Sequence, residues 1–152
     1  MALKITEFLS NKGIREFSAK TGFDLSACQT PCIAEAERET RLLMCSDRPI
    51  FFEHGERWVE TLSNAERLPS VYVDKGALRF LVSGADVMRP GIRKTDAFQK
   101  DAAVAVRGED NNVAVCIGIA LYPSEEMMAM AKGKVIKNIH HMGDEIWNLT
   151  KA

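Results

Sequence analysis

The chain has 152 residues, 46% of them hydrophobic and 27% charged, with a formal net charge of −1. That leaves room for one core of ordinary size or two small ones, and it excludes binding driven by whole-chain charge, so any site for a polyanion is a local patch. The longest uncharged apolar run, Val113 to Leu121, is far short of the ~20 residues of a spanning helix, and MALKITEFL carries Lys4 and Glu7 where a signal peptide has its apolar core; a cytoplasmic protein with no membrane partner is expected.

In chain order, ITEFLSNKGIREFSAKTGF places Ile5, Phe8, Leu9 and Phe17 at helical spacing, interrupted by Gly13, and predicts one or two short helices. IAEAERETRLLMC begins with Ala, Glu and Arg, which favour helix. RLLMCSDRPIFFEHGERWVETL reads as strands joined by turns at Ser46-Asp47 and His54-Gly55. SNAERL predicts one helical turn, with Ser63 as cap and Glu66 three residues later. The chain divides near Leu68-Pro69, so residues 1–68 are expected to form a small α+β domain and residues 69–152 a second one.

Beyond that division, Val71-Tyr72-Val73 is a short strand and Asp74 caps a helix. On a 3.6-residue wheel, Ala77, Phe80 and Leu81 fall on one side of this helix and Lys75, Arg79 and Ser83 on the other. Gly84 suits a left-handed helix stop, ADVM continues as strand, and Pro90-Gly91 fits the centre of a type II turn. AAVAV and VAVCIGIAL form a hairpin across GEDNN. Ser124, with Glu125 and Glu126, opens a Met-rich helix that Gly133 closes. VIKNI and EIWNL read as the last strands, and Phe80, Trp147 and the MMAMA methionines are assigned to the core. Short strands with few helices make a mixed β-barrel.

Cys28, Cys32, Cys45 and His54 can be written as a Cys₃His zinc set. Structural zinc sites show paired knuckles, however, and only the loose CQTPC pair is present. Buried free thiols are expected instead, Cys116 foremost, and neither metal nor cofactor. No nucleophile elbow, P-loop or dinucleotide fingerprint occurs; cap and strand-end roles account for Asp74 and Asp86, so no catalysis is expected. Asn148-Leu149-Thr150 matches a glycosylation sequon, set aside for want of a signal peptide.

VDKGALRFLVSGADVMRPGI, then FQKDAAVAV, then VCIGIALYPSEEMMAMAKGKVIKNIHHMGDEIW, resemble a PUA domain nearly end to end, over about half the chain. The resemblance implies an α+β protein: a small N-terminal α+β domain, then a C-terminal PUA-type β pseudo-barrel with short helices that binds RNA. The order of domains is similar to that of the malignant T-cell-amplified-sequence family of translation factors and its archaeal relatives. RPIFFEHGERWVETL looks like that family's pre-PUA region, although its Pro-Thr-Leu triplet is replaced here by Val59-Glu60-Thr61-Leu62.

The resemblance also implies which residues face RNA. They are Lys75, Gly76 and Arg79 of the first helix, Gly84 after it, then Arg89 and Gly91, with Arg93 and Lys94 following directly. Glycine lets a sugar-phosphate chain approach main-chain N–H groups while Lys and Arg neutralise phosphates. Lys137 joins them from the second basic cluster, Lys132, Lys134 and Lys137, ahead of His140-His141, where one ring is expected to pack inside. The same residues have structural readings: a helix stop at Gly84, a turn at Gly91, and a solvated charged face. The downstream half carries 11 Lys+Arg against 10 Asp+Glu, which favours a modest, shape-selective RNA site over strong non-specific binding. The expected function is a translation-associated factor contacting small-subunit rRNA or tRNA, its N-terminal half docking the ribosome or a translation-factor partner. The alternative is an RNA-targeting specificity subunit for an RNA-modification enzyme acting in trans; a third reading is a protein adaptor with no RNA role.

Overall fold

The computed structural model describes residues 3–150, whose strands form two sheets. The first is an antiparallel meander in chain order: β1 (Lys4–Phe8), β2 (Cys32–Glu35), β3 (Arg41–Cys45), β4 (Arg48–His54) and β5 (Arg57–Glu60). Helix α1 (Asn11–Thr21) lies between β1 and β2, with the Ser10 hydroxyl accepting from Gly13 N–H at 3.1 Å. Phe17 of α1 packs with Leu25, Leu43, Ile50 and Phe51 on one face of the sheet. Ala34, Leu42, Met44 and Phe52 fill the other face, together with Ala105, Ile117 and Ile146 from beyond residue 69. Covering both faces explains why RLLMC and PIFF are near-continuous apolar runs.

The second sheet has β6 (Ser70–Val73), β7 (Val87–Met88), β8 (Ile92–Thr95), β9 (Ala103–Gly108), β10 (Ala114–Ala120) and β11 (Lys134–His141) in the order β7-β11-β10-β9-β6-β8. Among the described residues only β6 and β9 run parallel. Its end strands β7 and β8 are adjacent in sequence, joined by the 3₁₀ turn Arg89–Gly91. A sheet whose two edges share one short turn must curl back on itself, and bulges at Val115 of β10 and Ile139 of β11 help it bend. This is the expected pseudo-barrel. Helices α2 (Lys75–Leu81) and α3 (Ser124–Ala129) plug it, burying Leu81 and Met127 against Val71, Val73, Val104, Val106 and Ile136.

Several local expectations are corrected. Residues 4–8 form a strand, not a helix; a bulge at Thr6 moves the register from Ile5↔Ala34 to Glu7↔Ile33, which gives Ile5 and Phe8 their helix-like spacing. IAE lies in β2 rather than a helix, since Ala34 and Ala36 fit under the second sheet. The second hairpin turns at Gly55-Glu56, one residue later than expected. The 3₁₀ turn Leu62–Arg67 starts from Thr61, not Ser63; both hydroxyls donate to Pro49 O instead, at 2.8 and 3.0 Å. Gly91 does not adopt positive φ, so Pro90-Gly91 is no type II turn. Gly133 has φ +103° but bends the chain into β11, because α3 already ends at Ala129. EIWNL is helix α4 (Glu145–Thr150), imposed by Asp144, whose carboxylate accepts from Trp147 N–H at 2.9 Å. Trp147 is only half-buried, at the border between the sheets.

The cysteines divide. Cys32 and Cys116 are buried free thiols, and burial, with Asp86 nearby, pushes Cys116 up to about 12. Cys28 and Cys45 are not free: the 3₁₀ turn Leu25–Ala27 delivers Cys28 beside the end of β3, and a disulfide joins them across a Cα–Cα distance of 5.0 Å. Among the described residues no helix is long and apolar enough to cross a membrane.

One buried contact ties the two sheets together. His140 of β11 is fully buried, its Nε2 accepting from Leu62 N–H at 3.1 Å. The ring proton therefore sits on Nδ1 and is donated to Asp144 at 2.9 Å. The ring also meets Phe52 of β4 edge-on, centroids 5.4 Å apart.

Candidate nucleic-acid interface

Helix α2 begins where Asp74 Oδ1 accepts from Ala77 N–H at 3.0 Å. It ends in a Schellman motif, with Ala85 N–H on Phe80 O and Gly84 N–H on Leu81 O, both 3.0 Å, and Gly84 at φ +97°. Ala77, Leu78 and Leu81 face the core. That centres the buried arc between Ala77 and Leu78, and Phe80 falls outside it, about 110° from its centre. Phe80 is accordingly 53% exposed, which corrects its assignment to the core. Together with Gly76 it flanks a groove of about 360 Å³, closed on the far side by Ala85, Asp86, Val87, Met88 and Gly91. At Gly91 a Cβ would stand 3.4 Å from Ala77 Cβ, so its absence lets turn and helix meet, and Gly91 O accepts from Asp74 N–H at 2.9 Å.

The groove is mostly apolar, with carboxylates at its mouth. Asp74 pairs with Arg93 at 3.5 Å and Asp86 with Lys134 at 3.5 Å. Arg93 also reaches Glu109 at 3.8 Å. Arg79 lies over the Phe80 ring, 4.8 Å from its centroid, and Lys75 is exposed on the outer side of α2. Lys75, Gly76, Arg79, Gly91 and Arg93 are thus gathered around one helix. Gly84 sits at its far end, with His141 Nε2 3.4 Å from where a Cβ would be. Lys94 stacks over Tyr72 of β6 at 4.5 Å.

Two residues are placed elsewhere. Arg89 donates to Ile92 O and Met128 O, both at 3.2 Å, clamping the β7–β8 turn to the end of α3. Lys137 is exposed on β11 and its charge falls on His54 of β4; burial first, then Lys137 and Arg57, lower the His54 pKa. Lys137 therefore belongs to the side near the first sheet. The sequence reading passed over Phe80, Met88 and Lys134 as site residues. Lys134 sits opposite Met88 in the β11–β7 pairing, at the groove's mouth. A wheel that places Leu78 rather than Phe80 on the buried side with Ala77 and Leu81 is the signal that could have exposed the aromatic ring.

Residues 69–142 match the PUA domain family model. An uncharacterized protein of Methanocaldococcus jannaschii is 40% identical over 70% of this chain and 69% of its own length. Translation machinery-associated protein 20 of Eremothecium gossypii is 30% identical over 78% and 71%, and human malignant T-cell-amplified sequence 2 is 32% identical over 77% and 70%. Among solved structures, a hypothetical protein of Pyrococcus horikoshii superposes with a TM-score of 0.76 at 27% identity, covering 95% of this chain and 98% of its own. A PUA domain protein of Aeropyrum pernix, solved with tartrate, reaches 0.82 at 22% identity over 99% and 92% and shares the fold. With PUA motifs in order, an α+β unit before them and relatives that span both, the chain belongs to the PUA-domain family that includes malignant T-cell-amplified sequence 2, translation machinery-associated protein 20 and their archaeal relatives.

Proposed function

We propose that the protein binds RNA as a factor of the translation machinery, taking an unpaired segment of rRNA or tRNA into the groove between α2 and β7. One observation carries the reading: an aromatic ring stands 53% exposed on the wall of an apolar groove, with Arg79 over the ring and Arg93 and Lys134 paired to the groove's aspartates. An exposed ring beside a guanidinium is a stacking platform for a base, and the surrounding cations suit the phosphates on either side. Asp74 and Asp86 can accept from exocyclic amino groups once a base lies between them. The rim is small and mixed in charge, which favours shape-selective recognition inside a larger assembly, with the first sheet as docking module for a ribosomal or translation-factor partner in the cytoplasm. The names of the relatives support the setting.

Fluorescence anisotropy with single-stranded and duplex RNA tests this. Phe80→Ala is expected to weaken single-strand binding by ~1–3 kcal/mol. Charge reversal at Lys75, Arg79 and Arg93 is expected to weaken all RNAs alike and flatten the salt dependence. Wild-type affinity in both variants, or crosslinked peptides only from residues 3–60, would sink the proposal.

A further inference from the structure

Among the described residues β1 is the end strand of the first sheet, so main-chain groups along its outer side lack a neighbouring strand there. It is exposed along its whole length, Ile5 at 50% and Phe8 at 64%. Its pairing with β2 sets Ile5 opposite Ala34 and Phe8 opposite Cys32, two residues of one buried cluster and hence of one face. Lys4 and Glu7, opposite Glu35 and Ile33, share the other face. Leu3, two residues before Ile5 and also exposed, completes an apolar row of three. A bulge usually blunts an edge strand; here it aligns the row.

We propose that β1 pairs with β1 of a second copy of this chain, antiparallel about a two-fold axis, in the register Leu3↔Phe8, Lys4↔Glu7 and Ile5↔Thr6. Opposite residues must point to the same face of the joint sheet, which in a regular strand restricts self-pairing to residues an even number apart. Leu3 and Phe8, and Lys4 and Glu7, are an odd number apart, and the extra residue at Thr6, lying between the members of each pair, is what brings them into phase. Leu3 then meets Phe8 of the other copy, and a Lys4 ammonium meets a Glu7 carboxylate twice in each dimer. The hydrogen-bond phase agrees. Leu9 N–H points inward to Pro31 O at 3.0 Å, so Phe8 turns its own N–H and C=O outward, and Ile5 and Leu3 share that phase. The occupant is a second copy because the strand is its own charge complement. A contact this short lies well below the ~800 Å² per partner of stable dimers, so the dimer is weak and depends on concentration.

Sedimentation velocity on the full chain from ~10 µM to ~1 mM reads the equilibrium. Wild type is expected to shift from monomer toward dimer over that range. K4E and E7K, at exposed positions and checked for fold by circular dichroism, each place like charges in both cross-strand pairs. Each is expected to weaken the dimer roughly tenfold. Mixing the two single variants, or combining both changes in one chain, is expected to restore it. A wild type that stays monomeric throughout overturns the proposal, as does a dimer whose dissociation is unchanged in K4E, E7K and Phe8→Asp.

Discussion

At Gly118 a methyl group would stand 2.3 Å from Ile136 Cγ2 and 2.9 Å from Lys137 O. A side chain tip can rotate away, but the β11 backbone cannot without breaking its ladder to β10. Gly118→Ala is therefore expected to cost about 1–3 kcal/mol through overpacking, read as a lower urea midpoint; an unchanged midpoint would show that the barrel wall yields there. Position-by-position legibility was uneven. Asp74 as cap and Gly84 as helix stop followed from local chemistry alone, and both stand as read. Phe80 did not, because a helix of only two turns leaves the direction of its buried arc to the sheet beneath it, which local spacing does not encode. Gly91 illustrates the same limit: Pro-Gly suggests a turn, but the close approach of Ala77 is a tertiary fact.

Between elements, the Cys28–Cys45 disulfide joins the turn after α1 to the end of β3, with a sequence separation of 17. Closing a loop of that length stabilises by ~3 kcal/mol in the chain-entropy account. Reduction with dithiothreitol, or the Cys28→Ser/Cys45→Ser pair, is expected to lower the thermal midpoint by several degrees; an identical melt with and without reductant would deny the link a stabilising part. Its pairing was not visible in spacing, since CQTPC draws attention to Cys32, whose thiol instead faces the core. Elements bounded by turn chemistry were legible: the β3–β4 hairpin, the β9–β10 hairpin and α2. The two ends of the chain were not. One bulge gave β1 a helical rhythm, and one aspartate turned the strand-like EIWNL into a helix.

For the molecule as a whole, the Leu62–His140–Asp144 chain ties β11 to the turn that leads out of the first sheet. Burial alone would raise the Asp144 pKa, but the His140 hydrogen bond and the N–H groups of Trp147 and His141 outweigh it and hold the carboxyl below its ordinary 3.8. A group depressed on folding stabilises above its unfolded value and loses that contribution as pH falls through the folded one. Below pH 3.8 the wild-type urea midpoint is thus expected to fall more steeply with acid than that of Asp144→Asn; parallel curves would remove Asp144 from the account. At this scale the PUA stretch, matched over residues 69–142, was readable from motifs in sequence, whereas the buried histidine's partner, 78 residues away, was not. The curled second sheet carries one more consequence. Among the described residues β7 pairs only with β11, and Val87 and Met88 line the groove, so a nucleotide held there as proposed would meet bare peptide groups as well as side chains. Trimming the groove's side chains one at a time should then leave a floor of residual affinity, set by backbone that mutation cannot remove.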